Sequence, residues 1–168
     1  MSQAFRERLL EILQLKELPR AGWVRAGVVE PESVAAHSWG VAWLVLALCP
    51  PELDRGRALA IAVLHDLAEV RVGDITPHDN IPKAEKQRRE AEAMAALMAP
   101  IPTGGELMDL WNAYGQDAEG RFVKACDKLE LALQAARYSR DQGTDPTEFI
   151  DAALAMLPPG VFQELAGG

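Results

Sequence analysis

The stretch "VLHDLAEVRVGD", residues 63–74, sets His65 beside Asp66, adds Glu69 about one helical turn later and ends with Asp74 after a glycine. The residues that lead into it, "RALAIAVL", are almost wholly apolar. Such a run is typical of a helix that enters a hydrophobic core. A buried helix that ends in a histidine and three carboxylates needs partners for them, because an unpaired buried carboxylate is costly.

The composition is that of an ordinary globular protein. The chain has 168 residues, of which 49% are hydrophobic and 25% charged, and we expect one domain spanning residues 1–168. The formal net charge of -8 argues against a nucleic-acid polymer as partner, because such binding uses Lys and Arg to neutralise phosphates. One small phosphate held by a local arginine is compatible with this charge.

The sequence contains no pattern that we would assign to export or to membrane insertion. Met1 is followed by a charged segment, which argues against a signal peptide. The longest apolar run, "VAWLVLAL" at residues 41–48, is too short to cross a bilayer. Cys49 and Cys126 are too few for a disulfide framework or a cysteine-type zinc site. We therefore predict a cytoplasmic protein with no membrane partner.

Apolar residues recur at helical spacing along nearly the whole chain, and no segment alternates convincingly as a strand. We predict an all-α fold, a compact globular array of about six or seven helices. The third helix is expected to run to about Val70, and loops are expected at residues 19–33 and 73–82, which are rich in turn residues. Capping patterns place the predicted helix starts near Ser2, Ser33, Asp54, Lys83, Thr103, Asp117 and Asp145.

Three predicted helices carry a residue that can bind a metal on their apolar face: His37, His65 and Asp127. A lone histidine there is usually a hydrogen-bonded core residue, and a lone buried aspartate is usually half of a salt bridge. Taken together they are better explained by one divalent cation, because few Lys or Arg share those faces. Nitrogen and carboxylate ligands suit Mn, Fe, Co, Ni or Zn better than Ca, and Mg remains an alternative.

The carboxylates after His65 can serve the same site. Asp66 lies about 100° round the helix from His65, so both side chains can reach one ion. Glu69 is a candidate general base or acid for the attacking water, or else a surface partner of Arg71. Asp74 can turn back towards the site because the preceding glycine frees the backbone, or else it caps a helix end.

The order His37, then His65-Asp66, then Asp127 resembles the H…HD…D signature of HD-domain metal-dependent phosphohydrolases. The segments "RAGWV", "PESVAAHS", "LHDLAEVRVGDITPHDNIPKAEKQRREAEAM", "LWNAY" and "RFVKACDKLELALQA" are similar to the 5′-deoxynucleotidase branch of that superfamily. The resemblance covers residues 18–138, most of the chain, and it implies an HD-domain fold.

The resemblance also implies an activity and a set of roles. Members of this branch remove the 5′-phosphate from deoxyribonucleoside 5′-monophosphates with a divalent metal, and they are commonly homodimers. By the same resemblance, the metal ligands are His37, His65, Asp66 and Asp127. Glu69 and Asp74 match catalytic carboxylates, Arg20 matches a phosphate-binding arginine, and Trp23 matches a position beside the sugar or base.

Two features depart from the family or limit the site. Ala36 precedes His37 where relatives often carry an acidic residue, so a contact that supports the histidine is expected to be missing. The chain has three histidines, and we expect the third, His78, to be a loop residue. These counts favour one metal per site over two. Trp39 and Trp43 are expected to be core or dimer contacts.

Two alternatives to the deoxynucleotidase hypothesis stay open at this point. An HD-type hydrolase can act on another nucleotide, such as a cyclic nucleotide or a triphosphate. A non-catalytic regulator can bind a metal or a nucleotide without consuming it, although such a protein needs neither Glu69 nor Asp74. In each case the partner is a small-molecule nucleotide or an ion.

Overall fold

The computed structural model describes residues 2–167, which form helices joined by turns. The helices are α1 (Gln3–Leu13), α2 (Ala21–Arg25), α3 (Val34–Leu48), α4 (Arg55–Leu64), α5 (Glu69–Val72), α6 (Lys83–Met98), α7 (Gly104–Ala113), α8 (Ala118–Gln142), α9 (Thr147–Leu154) and α10 (Val161–Gly167). Short 3₁₀ turns occupy Gln14–Lys16 and Pro77–Asp79. The described residues contain no strand, so the all-α prediction is confirmed, but six or seven helices was too low a number.

Several predicted capping residues do begin their helices. The Ser2 side chain accepts a hydrogen bond from the Phe5 N–H at 3.2 Å, and the Ser33 side chain accepts one from the Ala36 N–H at 3.2 Å. The Asp117 side chain caps α8 in the same way, through the Gly120 N–H at 2.8 Å. These bonds satisfy N–H groups that lack a partner in the first helical turn.

Two predicted caps were wrong in detail. Thr103 precedes α7, but its ψ of 17° departs from the extended conformation that a cap needs, and its side chain makes no hydrogen bond to the helix. Asp145 Oδ1 accepts from the Thr147 N–H at 2.9 Å, but α9 begins at Thr147, so Pro146 and not Asp145 is the residue directly before the helix.

The long helix α8 lies at the centre, and α3, α4, α9 and α10 pack around it. Val41, Ile61 and Val123 join α3, α4 and α8 in one fully buried cluster. Met94 and Leu97 belong to a second cluster that connects α6 to the start of α3 and the end of α4. This packing holds α3, α6 and α8 around the end of α4. No helix within residues 2–167 has the length and apolar character needed to span a membrane.

The third predicted helix does not run unbroken to Val70. After Leu64 the backbone tightens: the N–H groups of Leu67 and Glu69 each bond the carbonyl three residues earlier, at 3.0 Å. His65 Nδ1 donates to the Ala62 carbonyl at 2.7 Å, which is the acceptor that an α-helix would reserve for the Asp66 N–H. The side chain therefore competes with the helix, and α5 begins only at Glu69.

The first predicted loop contains the short helix α2, which the sequence reading missed. Trp23 on α2 is 2% exposed and packs against Tyr138 and Phe149, with ring centroids 5.2 and 4.2 Å apart. This apolar anchor makes five residues helical despite the Gly and Pro around them, since packing overrides weak local propensity. As a result, Arg20 is fixed at the N-terminus of α2.

A substitution at Gly120 tests the close contact between α7 and α8. A Cβ there would lie 1.8 Å from the Ala113 carbonyl oxygen, so we expect Gly120→Ala to lower the free energy of unfolding by about 3 kcal/mol. Gly105→Ala is the matched control, because no atom lies within 4 Å of its Cβ position. It should be neutral or stabilising by about 1 kcal/mol. Urea denaturation measures both, and equal stabilities would contradict this packing.

Candidate metal centre

Two buried imidazoles lie next to each other, edge to face, where α3 meets the end of α4. The ring centroids of His37 and His65 are 5.4 Å apart. Both Nε2 atoms are buried, and neither has a hydrogen-bond partner among residues 2–167. Since His65 Nδ1 donates to a carbonyl, its Nε2 is free to present a lone pair. Unpartnered buried nitrogens of this kind are costly unless they bind something.

Two carboxylates converge on the same nitrogens. Asp127 Oδ1 lies 3.3 Å from His37 Nε2. Asp66 Oδ2 lies 3.7 Å from His37 Nε2 and 3.3 Å from His65 Nε2. The ligand atoms of His37, His65 and Asp127 all lie within 4.8 Å of one another. Helices α3 and α8 and the turn after α4 thus bring all four predicted metal ligands together.

The electrostatics of this cluster favour a cation. Burial and Arg20 lower the pKa of His37, but the contacts with nearby carboxylates outweigh both and raise the pKa to about 10. Without another cation the ring therefore keeps a proton on Nε2, and a metal ion would replace that proton. Burial would raise the pKa of Asp66, yet His65 is the largest of the opposing effects that keep this pKa below its usual value. The carboxylates therefore stay charged and create a negative potential at the two imidazoles.

These residues fit a divalent metal. Two imidazole nitrogens and two carboxylate oxygens are a donor set typical of first-row divalent ions. The two unpartnered Nε2 atoms lie close to the carboxylate oxygens. One ion could therefore contact both nitrogens and both carboxylates. The group could hold a metal, with four side chains from α3, α8 and the turn after α4 as its ligands.

Glu69 sits at the start of α5 and is 4% exposed. Its Oε2 atom is buried and has no hydrogen-bond partner in the described part of the chain. Burial, followed by Asp66 and Asp74, raises the pKa of Glu69 to about 10. With a pKa this high, the carboxyl group holds its proton at neutral pH while no cation lies beside it. A carboxyl group perturbed in this way is a candidate for proton transfer.

Arg20 and Asp74 lie next to this acid. Gly73 adopts a φ of 77°, which turns the chain back after α5 as the sequence predicts. Asp74 Oδ2 then accepts from the Ala21 N–H at 2.8 Å and so holds the start of α2. The Arg20 guanidinium lies 3.4 Å from Asp66 Oδ2 and 4.0 Å from Asp74 Oδ1. A cationic side chain is thus fixed beside the metal-binding group.

Trp23 and His78 lie away from this group. The indole of Trp23 is enclosed in the core and donates its Nε1–H to Glu32 at 2.9 Å. No open face of Trp23 is therefore available to a sugar or base in this structure, and we assign it a packing role. His78 lies on the exposed 3₁₀ turn, where its Nε2 is 2.9 Å from Glu148.

The sequence reading missed two residues that support the centre. Tyr114 donates a hydrogen bond to Asp127 Oδ2, and its ring stacks on His65 at a centroid distance of 5.3 Å. Glu130 contacts His37 Nδ1 at 2.5 Å. A weak signal for Glu130 was present, because it lies three residues after Asp127 and therefore on nearly the same face of α8. Tyr114 gave no such signal, since its role depends on how α7 meets α8.

With this geometry in place, similarity to known proteins identifies the family. The family model described as HD domain, HD_3, matches residues 12–155. The chain belongs to the HD domain family. The human 5′-deoxynucleotidase HDDC2 is 44% identical over 129 residues, which cover 74% of this chain. The 5′-deoxynucleotidase hdd1 of Schizosaccharomyces pombe is 39% identical over 135 residues, which cover 76% of this chain and 68% of hdd1.

This chain spans 63% of the length of the human HDDC2 protein, so part of that relative has no counterpart in the match.

A solved structure shows the same arrangement of helices. The PH0347 protein of Pyrococcus horikoshii superposes with a TM-score of 0.78 at 30% identity, and the superposition covers 96% of this chain and 93% of PH0347. The HD-domain fold expected from the resemblance is therefore present.

A thermal shift with added metal tests the centre without an activity assay. Co²⁺ at about 100 times its Kd should stabilise the folded protein by about 2.7 kcal/mol and raise the Tm by roughly 5–10 °C. His65→Ala should abolish this shift, because it removes one of the buried donors. His78→Ala should retain the full shift, since His78 is exposed on the turn. An equal shift in both variants would place the ion elsewhere.

Proposed function

We propose that this protein is a metal-dependent phosphohydrolase that removes the 5′-phosphate from deoxyribonucleoside 5′-monophosphates. The supporting observation is that the four candidate metal ligands, His37, His65, Asp66 and Asp127, lie within a few ångströms of one another. Glu69 and Arg20 lie beside them. The names of the relatives support the choice of substrate. A purely structural ion would need the four ligands but would have no use for a buried, unpartnered Glu69.

One divalent ion of the first-row group, held by those four side chains, supplies Lewis-acid activation of water and neutralises part of the phosphate charge. Glu69 accepts the proton of the attacking water. Arg20 lowers the pKa of Glu69, although burial and two neighbouring aspartates raise it. A divalent cation bound beside Asp66 would lower this pKa further, so that Glu69 would be ionised and able to accept the proton.

Arg20 binds the phosphate in this proposal. Its guanidinium lies between Asp66 and Asp74, and these aspartates help to raise its pKa, so it keeps its positive charge. A guanidinium can contact two phosphate oxygens at once, which fixes the phosphorus for attack opposite the leaving oxygen. Water adds its oxygen to phosphorus, the bond from phosphorus to the 5′-oxygen breaks, and that oxygen takes up a proton. The products are a nucleoside and inorganic phosphate.

Asp74 acts as the second carboxylate by holding Arg20 in place. Its Oδ2 bonds the Ala21 N–H, the first backbone donor after Arg20. Because the backbone of Arg20 is anchored in this way, its side chain has less freedom to lose when phosphate binds. The same carboxylate also raises the pKa of Glu69, so Asp74 contributes to both parts of the site.

The first test is release of inorganic phosphate from dAMP, dGMP, dCMP and dTMP with Co²⁺ or Mn²⁺ present. We expect turnover by the unmodified protein and a loss of at least about 100-fold in Glu69→Gln, because general-base catalysis contributes on that scale. Glu69→Gln should still bind the metal, as measured by titration calorimetry. Asp66→Ala should lose both metal and turnover, since it removes a ligand.

The substrate panel separates this proposal from its competitors. AMP, cyclic AMP and dATP are included with the four monophosphates. Turnover of a cyclic nucleotide or a triphosphate in preference to all four would overturn the substrate assignment while keeping the hydrolase. Nucleotide binding with no phosphate release under any metal would indicate a regulator instead. Normal turnover by Glu69→Gln would remove that residue from the mechanism.

We further propose that two copies of this chain form a homodimer through the outer face of α3. Trp39, Trp43 and Leu46 follow one another at helical spacing on this face and are 71%, 56% and 47% exposed. Helix α3 carries no Asp, Glu, Lys or Arg between Val34 and Leu48. Because each copy has a net charge of -8, two copies repel each other least where the surface is uncharged. An exposed apolar patch of this kind is typical of a protein interface.

The dimer proposal is tested by light scattering after size-exclusion chromatography. The double variant Trp39→Glu/Trp43→Glu should change the protein from dimer to monomer without unfolding it, because both side chains are exposed. Leu10→Glu on α1 is the control and should stay dimeric, since Leu10 is 48% exposed on a different helix. A monomeric unmodified protein, or a dimer broken by the control alone, would contradict the proposal.

A further inference from the structure

A buried carboxylate lies behind one of the candidate metal ligands. Glu130 Oε2 is 2.5 Å from His37 Nδ1, and both residues are buried. The opposite nitrogen of the same ring, Nε2, lies 3.3 Å from Asp127 Oδ1. Asp127 therefore lies where it could bind the same cation as His37 Nε2. Glu130 contacts the opposite nitrogen, where it can influence that cation through the orientation and charge of the ring.

Both of these carboxylates come from one helix. Asp127 and Glu130 are three residues apart on α8, so their side chains lie on nearly the same face. One rigid element therefore supplies a carboxylate to each nitrogen of His37. This arrangement also corrects the expectation based on Ala36. The supporting contact is present, but it comes from a residue 93 positions away in the sequence and not from the preceding residue.

Gly40 leaves the room that Glu130 needs. It follows His37 by about one turn of α3, and a Cβ on it would lie 2.8 Å from Glu130 Oε1 and 3.0 Å from Glu130 Cγ. A glycine inside a helix costs stability, and here its backbone conformation is ordinary. The close approach of Glu130 is thus the physical reason for a glycine at this position.

The surroundings of Glu130 leave one alternative to consider. Glu32 lies on the same side of the ring, and the ligand atoms of Glu32, His37 and Glu130 are also within 4.8 Å of one another. A second cation at Nδ1 would use the same atoms. However, Glu32 Oε1 already accepts from Trp23 Nε1 at 2.9 Å. The 2.5 Å between Glu130 Oε2 and His37 Nδ1 is also too short to leave a cation between these two atoms.

We propose that Glu130 is a positioning residue for His37 and that Gly40 makes its approach possible. Glu130 accepts the Nδ1–H, which fixes the tautomer in which Nε2 carries a lone pair and holds the ring at one orientation. A carboxylate acceptor also makes Nε2 a stronger donor to a cation than a carbonyl acceptor would. The proposal rests on the assignment of His37 as a metal ligand, and it adds the residues that prepare this ligand.

The test measures Co²⁺ binding by titration calorimetry and by the visible absorption of the bound ion. Glu130→Ala and Gly40→Ala should each weaken binding by about 10- to 100-fold, the usual effect of removing an outer contact to a metal ligand. The absorption of bound Co²⁺ should also change, because His37 is then free to reorient. Gly105→Ala is the matched glycine control and should bind as the unmodified protein does.

The double variant Gly40→Ala/Glu130→Ala gives the sharpest comparison. If Gly40 acts through Glu130, the added methyl group has nothing to displace once the carboxylate is gone. The double variant should then bind Co²⁺ as Glu130→Ala alone does, which is a strongly non-additive result. Additive losses would show that Gly40→Ala disturbs α3 by another route and would overturn the role given to Gly40.

The remaining outcomes separate this inference from the proposed function. If the unmodified protein binds one equivalent of Co²⁺ and releases phosphate while Glu130→Ala binds equally tightly, the positioning role fails and the function stands. If the unmodified protein binds two equivalents and Glu130→Ala binds one, Glu130 is itself a ligand and the positioning role fails. If the unmodified protein binds no Co²⁺, both the metal assignment and this inference fall.

Discussion

The central constraint on this structure is the unfavourable free energy of burying several carboxylates and two imidazoles in an apolar core. Asp127 and Glu69 are 4% exposed, and His37 is fully buried. Charged groups in such surroundings destabilise the fold unless cations or donors compensate them. Arg20 and Lys128 provide part of this compensation, with Lys128 Nζ 2.9 Å from Asp127 Oδ2. A bound divalent ion would compensate the remaining negative charge, so the excess of buried carboxylates favours metal binding at this place.

The site combines residues on packed helices with residues on an irregular turn. Helices α3 and α8 pack against each other through fully buried side chains, so His37 and Asp127 are held by a closely packed part of the core. The tightened turn after α4 carries His65 and Asp66 and leads into Glu69. Successive residues of a regular α-helix would spread these groups around its axis. The change in hydrogen bonding after Leu64 is therefore part of how the site is built.

The sequence predicted the parts of this structure that depend on local pattern. Apolar spacing and capping residues indicated the main helices. His37, His65 and Asp127 were recognisable because each stood on an apolar face, and Asp66 was recognisable because it follows His65. The tightened turn could not be predicted, because it depends on the His65 side chain taking the Ala62 carbonyl. Glu130 and α2 depend on contacts between distant segments, as with Trp23 against Tyr138. Such contacts leave little trace in the residues next to them.

Three of the four candidate ligands share one feature, which is that another residue holds each of them on the side away from the metal-binding group. His65 Nδ1 is held by a backbone carbonyl, His37 Nδ1 is contacted by Glu130, and Asp127 Oδ2 accepts from a phenol. These outer contacts fix the inner atoms before any ion arrives, so less ordering accompanies binding. The two histidines differ in this respect, because a carboxylate polarises an imidazole more strongly than a carbonyl does. His37 should then be the stronger donor of the pair, and α8, which supplies both Asp127 and Glu130, is the element on which the strength of the site depends.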